Sequence, residues 1–261
     1  MGKGSSSSIA ERLHARLHFA GALTKGHVRL DADAAHYLRH VLRLNPQDRI
    51  GLFNASDGEF AARLRGFDKK GADLEIEERV RAPKPDASDV WLVFAPIKRA
   101  HLEFQAQKAT ELGASALWAV TTARTNVERV NEKRLAAIAN EAAEQSERLS
   151  VPTIKPTATL AAALANWPQD RQMLLCDETG GGEPLAAFLA GQDLAKPWAI
   201  LTGPEGGFAP DELALLRRQA FVRPVGLGPR VLRADTAALA ALAVFQALAP
   251  DAKHAPRFES N

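Results

Sequence analysis

A chain of 261 residues with a net charge of +2, 46% hydrophobic and 25% charged residues has the make-up of a folded, water-facing protein of one or two domains. A single cysteine, Cys176, excludes an internal disulfide framework and fits a reducing compartment, so a cytoplasmic location is expected. No apolar run reaches the ~18–20 residues of a membrane-spanning helix, and the histidines and lone cysteine show no metal-ligand spacing.

Met1-Gly-Lys-Gly-Ser-Ser-Ser-Ser8 has no apolar core, and residues 1–10 read as a disordered tail. Residues 11–84 then read as short strands. Residues 48–54 and 59–65 flank Ala55-Ser-Asp-Gly58, a good hairpin turn, and residues 72–78 alternate with period two. So many short strands at this spacing point to a small β-barrel. A proline-containing, polar stretch over residues 80–88 marks a linker.

From residue 85 to 250 the rhythm changes. Val90-Trp-Leu-Val-Phe94 and Ala116-Leu-Trp-Ala-Val120 are continuously apolar, as strands buried on both faces are. Helices are expected over residues 101–112, stopped by Gly113, and over 132–149, with Asn131 as N-cap. Further strands are expected at residues 173–176, 198–201 and 221–225. Alternating strands and helices indicate a parallel α/β sheet, with ligand sites at the carboxyl ends of its strands. Residues 251–261 read as a C-terminal tail. Counting Lys and Arg against Asp and Glu, residues 1–84 carry +4 and residues 85–250 carry −2. That division suits a polyanion held by one part and worked on by the other, although so small an imbalance also arises by chance.

Two glycine loops stand out. The strand at 198–201 runs into Thr202-Gly-Pro-Glu-Gly-Gly-Phe208, and Pro210, Asp211 and Glu212 then suit a helix start. Strand, glycine loop and helix start bring backbone N–H groups close to a ligand, but they serve equally as a connecting turn. Dinucleotide and P-loop spacings are absent, and Pro204 and Glu205 disfavour a phosphate. A neutral or cationic ligand such as a sulfonium with an adenosine fits better. The second loop, Val225-Gly-Leu-Gly-Pro-Arg-Val-Leu-Arg233, precedes an apolar helix to about Leu248, with Ala234-Asp-Thr236 as its expected cap. Arginines just before a helix start oppose its dipole, which hints that they serve something else; surface ion pairs are the plainer alternative.

Together the two loops resemble the bacterial 16S ribosomal RNA uracil-N3-methyltransferase family of the SPOUT superfamily. The resemblance rests on Leu201–Glu212, Leu227–Arg233 and Thr236-Ala-Ala-Leu239. It extends upstream to Gln107-Lys-Ala-Thr-Glu-Leu-Gly113, Glu144-Gln-Ser-Glu-Arg148 with Val151-Pro152, and His36-Tyr-Leu-Arg-His-Val-Leu-Arg43. It implies an N-terminal PUA-like RNA-binding β-barrel, a C-terminal SPOUT α/β domain with a trefoil knot, and a homodimer. It also implies S-adenosylmethionine as cofactor and methylation of N3 of the uridine numbered 1498 in the small-subunit RNA. The family commonly has Glu where this chain has Asp235, a shorter acid and a better N-cap.

On this resemblance the cofactor walls are Leu175, Leu201, Thr202, Gly203, Glu205, Gly206, Leu227, Gly228, Val231 and Leu232, with the backbones of Leu201, Gly203, Gly206, Leu227, Gly228 and Leu232 against adenosine and methionine. Uridine N3 must lose a proton, and a guanidinium would stabilise the charge left on the base. Arg233 and Arg230 are the candidates, Arg233 first, with Asp235, water or a group from a second subunit as proton acceptor. Arg39, Arg43, Lys98, Lys108, Arg124 and Arg148 are candidates for RNA phosphates, against the alternative of solvated ends. Lys108 and Glu111 are spaced to pair on a helix. His101 reads as a surface residue at a helix start, and Cys176 as a buried strand residue. Two other readings stay open: a SPOUT enzyme acting on a ribose hydroxyl or another base, and an RNA-binding assembly factor without transfer activity.

Overall fold

The computed structural model describes residues 13–126 and 129–253, so the expected N-terminal tail lies outside the described residues, as does the C-terminal tail beyond Lys253. The chain divides into two compact units, Met1–Pro85 with Ala143–Ser150, and Asp86–Ala142 with Val151–Asn261.

In the first unit, strands β1 (Arg16–His18), β2 (Gly26–Leu30), β3 (Arg49–Asn54), β4 (Gly58–Asp68) and β5 (Gly71–Arg81) form a sheet in the order β1-β3-β4-β5-β2. β1 is parallel to β3 and the other pairs are antiparallel. The β3–β4 turn forms where expected: Asn54 Oδ1 accepts the Asp57 N–H at 2.7 Å, and Gly58 takes φ +90°. β4 and β5 are longer than their alternation suggested. Three register shifts between them let the pair curl around Leu38, Ile50, Leu52, Leu64 and Leu74, all fully buried.

Between β2 and β3, Asp31 caps helix α1 (Ala32–His36) by accepting the Ala34 N–H at 2.8 Å. The helix widens into a π-turn over Tyr37–Val41, an irregularity that no periodicity signals. It leaves Arg39, His40 and Arg43 exposed, with Arg43 in the left-handed region at φ +56°. Residues 143–150 belong to this unit, and Arg16 donates to the carbonyls of Glu144 (2.9 Å) and Arg148 (3.1 Å) there.

From Asp86 the chain runs β6 (Asp89–Phe94), α2 (Arg99–Glu111), β7 (Ala116–Thr121), α3 (Glu132–Gln145, its last three residues counted with the first unit), β8 (Thr153–Thr159), α4 (Leu160–Ala165), β9 (Gln172–Cys176), β10 (Glu183–Pro184), α5 (Leu185–Ala190), β11 (Pro197–Thr202), α6 (Pro210–Arg217), β12 (Val222–Gly226) and α7 (Ala234–Leu248). Asn131 caps α3 as expected, accepting the Arg134 N–H at 3.0 Å. That helix stops four residues short of the expected end, and Glu147 beyond it is left-handed at φ +59°.

All seven strands are parallel, in the order β10-β12-β9-β11-β6-β7-β8. Period two divides their side chains between two cores. Leu92, Leu174, Ile200 and Val225 pack against α2, α3, α5 and α7, while Val93, Leu175, Leu201 and Val222 pack with Leu160, Leu164, Phe208 and Leu216 of the other face. Helix α7 buries Ala238, Ala241, Leu242 and Phe245 completely. Truncating a buried phenylalanine costs about 3–5 kcal/mol, so the position of α7's first turn is firmly set.

Toward the amino ends of the strands, Trp118 stacks on Trp167, and Trp167 on Phe221, with centroids 5.9 and 5.4 Å apart. Arg171, paired with Asp89, lies 3.8 Å from the Trp91 ring and closes that end. The carboxyl ends stay open. Because β11 lies between β6 and β9, and β12 between β9 and β10, the loops after β6, β9, β11 and β12 meet there.

Candidate active site

Those four loops enclose a cavity of about 820 Å³. The first wall is residues 202–209. Gly203 passes so close to Phe208 that a Cβ on it would stand 2.9 Å from the ring, and Gly207, at φ +67°, leaves room for the Glu178 carboxylate, which a Cβ would meet at 1.8 Å. Pro210 opens α6, and Glu212 accepts the N–H of Ala209 at 2.9 Å and that of Ala123 at 2.7 Å. Arg124 Nη1 donates to the Gly206 carbonyl at 2.8 Å. In this structure Arg124, expected among the phosphate ligands, braces the first glycine loop.

The second wall is residues 226–233. Gly228 is left-handed at φ +99° with open space around it, and Val231 is 87% exposed. Arg233, in extended conformation, is the N-cap residue of α7 and makes no side-chain cap bond. The expected cap over residues 234–236 therefore needs correction: Asp235 lies inside the first turn. Its Oδ1 accepts the Thr236 N–H at 2.8 Å and its Oδ2 lies 2.9 Å from His101 Nδ1. The reason is that the helix begins at Ala234, so its cap position falls on Arg233 and Asp235 binds the Thr236 N–H from inside the first turn.

Sequence reasoning missed the third wall, Cys176–Gly180 after β9, although a polar stretch ending in glycine after a buried strand is the pattern that identified the other two. Asp177 is buried. Its Oδ1 accepts from the Thr179 N–H (2.9 Å) and hydroxyl (2.6 Å), and its Oδ2 from Arg217 Nη2 (2.5 Å). Burial pushes this carboxyl up, but the hydrogen bonds from Thr179 and Arg217 outweigh it and hold the group below the usual carboxylate range. Burial of the Cys176 thiol pushes it up to about 12, so it is no nucleophile at neutral pH.

Of the residues expected at the site, Thr202, Gly203, Glu205, Leu227, Gly228, Arg230, Val231, Leu232, Arg233, Asp235 and Lys98 line the cavity together. Leu175 and Leu201 lie in the sheet core, where the alternation turns their side chains away, and Gly206 faces Arg124. Lys108 is bonded to Glu111 at 2.7 Å. Arg148 belongs to the first unit and donates to Ser150 Oγ at 2.9 Å. His101 was read as a surface residue and in fact lines the cavity, half-exposed. The signal that could have found it is its place just past the end of β6, another strand whose carboxyl end feeds the site.

Comparison with known proteins agrees with this geometry. The model of an RNA methyltransferase domain matches residues 84–246, and that of an RNA methyltransferase PUA domain matches residues 30–77. The chain is 34% identical to the ribosomal RNA small subunit methyltransferase E of Rickettsia conorii over 80% of its own length and 84% of that protein's. It is similar in structure to a ribosomal RNA small subunit methyltransferase E from Neisseria gonorrhoeae bound to S-adenosyl methionine. There the TM-score is 0.78 at 28% identity, covering 90% of this chain and 97% of that one. A putative methyltransferase from Legionella pneumophila in complex with the bound cofactor SAM gives 0.80 at 26% identity, covering 89% and 97%. These likenesses carry the expected fold class, a parallel SPOUT-type α/β domain preceded by a PUA-like domain. With its two glycine loops on one cavity and relatives matched over most of their length, the chain belongs to the small-subunit ribosomal RNA methyltransferase E family, the 16S ribosomal RNA methyltransferases of the SPOUT superfamily.

Proposed function

We propose that this chain transfers a methyl group from S-adenosylmethionine to N3 of one uridine of 16S ribosomal RNA, the one numbered 1498, in the small ribosomal subunit. The observation that carries the reading is the convergence of both glycine loops and two arginines on one cavity. The residues present fit that cofactor. A volume of about 820 Å³ lies within the ~300–1,000 Å³ range of small-molecule sites. The glycine backbones leave space that side chains would fill, and Glu178 and Glu205 suit a cationic donor. Bound there, S-adenosylmethionine supplies an electrophilic methyl group.

The chain's own part is alignment and charge control. Residues 202–208 and 226–232 hold the donor by backbone contacts, so little motion is needed at the moment of transfer. Arg233, with Arg230 beside it in the loop, stabilises the negative charge left when uridine N3 loses its proton. Neither arginine is the proton acceptor, because a guanidinium stays protonated. Arg39 and Arg43, exposed on the first unit, hold RNA phosphates. The enzyme works as a homodimer in the cytoplasm, in keeping with its single cysteine and with the absence, among the described residues, of a helix long and apolar enough to cross a membrane. Nucleoside analysis of RNA methylated by the purified enzyme tests the reading: N3-methyluridine supports it, and a ribose methyl refutes it.

A further inference from the structure

We propose that His101 is the base that takes the N3 proton of the target uridine, with Asp235 as the residue that positions it; this rests on the functional reading above. His101 stands in the first turn of α2 and Asp235 in the first turn of α7, and Nδ1 lies 2.9 Å from Oδ2 across the cavity wall. The acid is 14% exposed and its other oxygen is taken by the Thr236 N–H at 2.8 Å, so its orientation is set from two sides. An ionised carboxylate only accepts hydrogen bonds, so Nδ1 must donate to it, and Nε2 is then the unprotonated nitrogen. No hydrogen bond to Nε2 occurs among the described residues, and the ring is 45% exposed.

The other polar groups of the cavity do not suit this task. Lys98, Arg230 and Arg233 are cations, the Cys176 thiol is held protonated, and Asp177 is committed to Thr179 and Arg217. Glu178, seated against Gly207, and Glu205 suit the cationic donor instead. In the step, the N3–H bond breaks and the proton passes to Nε2. The electron pair left on N3 forms the bond to the methyl carbon, and the carbon–sulfur bond breaks with its pair kept by sulfur. The imidazolium then loses its proton to solvent.

The experiment compares His101→Gln and Asp235→Asn with the full-length wild-type enzyme on small subunits lacking the methyl group. Expected are losses of kcat of about 10²–10⁴-fold for His101→Gln, the range of general-base catalysis, with S-adenosylmethionine affinity by calorimetry within about threefold. The remaining rate should rise with hydroxide where the wild-type rate has levelled. The loss should shrink on subunits reconstituted with 5-fluorouridine RNA, whose N3–H is more acidic. Independently of turnover, ¹⁵N spectra of the wild-type protein should show His101 in its Nδ1–H form, a state lost in Asp235→Asn. Wild-type rates in His101→Gln, an equal loss on both RNAs, or an Nε2–H ring would overturn the assignment alone. Absence of N3-methyluridine from the wild-type reaction would overturn the functional reading and this inference with it.

Discussion

Arg217 donates from Nη2 to Oδ2 of Asp177 at 2.5 Å, so the helix after the first glycine loop is fastened to the loop after β9. Two walls of the cavity are thereby one mechanical unit. Arg217 is 42% exposed and solvent screens its share, so Asp177→Asn should cost about 1–2 kcal/mol, mainly through the hydrogen bonds of a buried carboxylate. The folded group is held below its ordinary range, so its contribution is present above the unfolded value of ~3.9 and fades as pH falls through the lower folded value. Urea melts should show a constant gap between the two proteins from pH 8 to about 4.5 that narrows only in stronger acid.

Two glycines separate steric need from backbone need. Gly207 and Gly228 are both left-handed, but a Cβ on Gly207 would meet Glu178 at 1.8 Å, whereas Gly228 faces open space. Gly228→Ala should cost about 1 kcal/mol of backbone strain in stability, and its methyl group enters the cavity without meeting any protein atom. Gly207→Ala must also displace Glu178 from the cavity wall, and calorimetry should show its S-adenosylmethionine affinity falling at least about tenfold further.

Cys176 lines the cavity yet should be inert. With its thiol pushed up to about 12, only about one part in ten thousand is thiolate at pH 8. Iodoacetamide at that pH should leave activity intact over hours, and Cys176→Ala should retain methyl transfer. Rapid inactivation protected by S-adenosylmethionine would show the thiol to be exposed and ionised.

Much of the architecture was legible because it repeats a local rule. Apolar runs such as 90–94 read directly as strands buried on both faces, and the Asn131 cap and Pro210 start are properties of single positions. Strand order was not, since the insertion of β11 between β6 and β9 depends on contacts over a hundred residues apart. The same limit hid His101: its partner Asp235 is 134 residues away, and only the adjacency of α2 and α7 makes the pair. Asp235 was read as a cap because capping is local; the helix starts at Ala234, so its carboxylate meets the Thr236 N–H from inside the first turn and His101 from outside it. Leu175 sits at a strand end beside the site, but its side chain lies on the core-facing phase of a period-two alternation.

Basic residues likewise divide by their partners. Lys108 is spent on Glu111, while Arg39 and Arg43 are exposed on the widened helix of the first unit. Arg39→Ala and Arg43→Ala should each lower RNA affinity and flatten the dependence of log K on log salt by about 0.7–0.9, and Lys108→Ala should do neither.

The most direct test of the account adds the enzyme and S-adenosylmethionine to small ribosomal subunits from a strain lacking this activity and maps the product by primer extension, since a methyl on N3 blocks base pairing. The account predicts one new stop at the target uridine, released as N3-methyluridine on digestion, and its loss in Arg233→Ala with S-adenosylmethionine binding retained. A methyl on ribose or on another base, or an undiminished stop in Arg233→Ala, would contradict it.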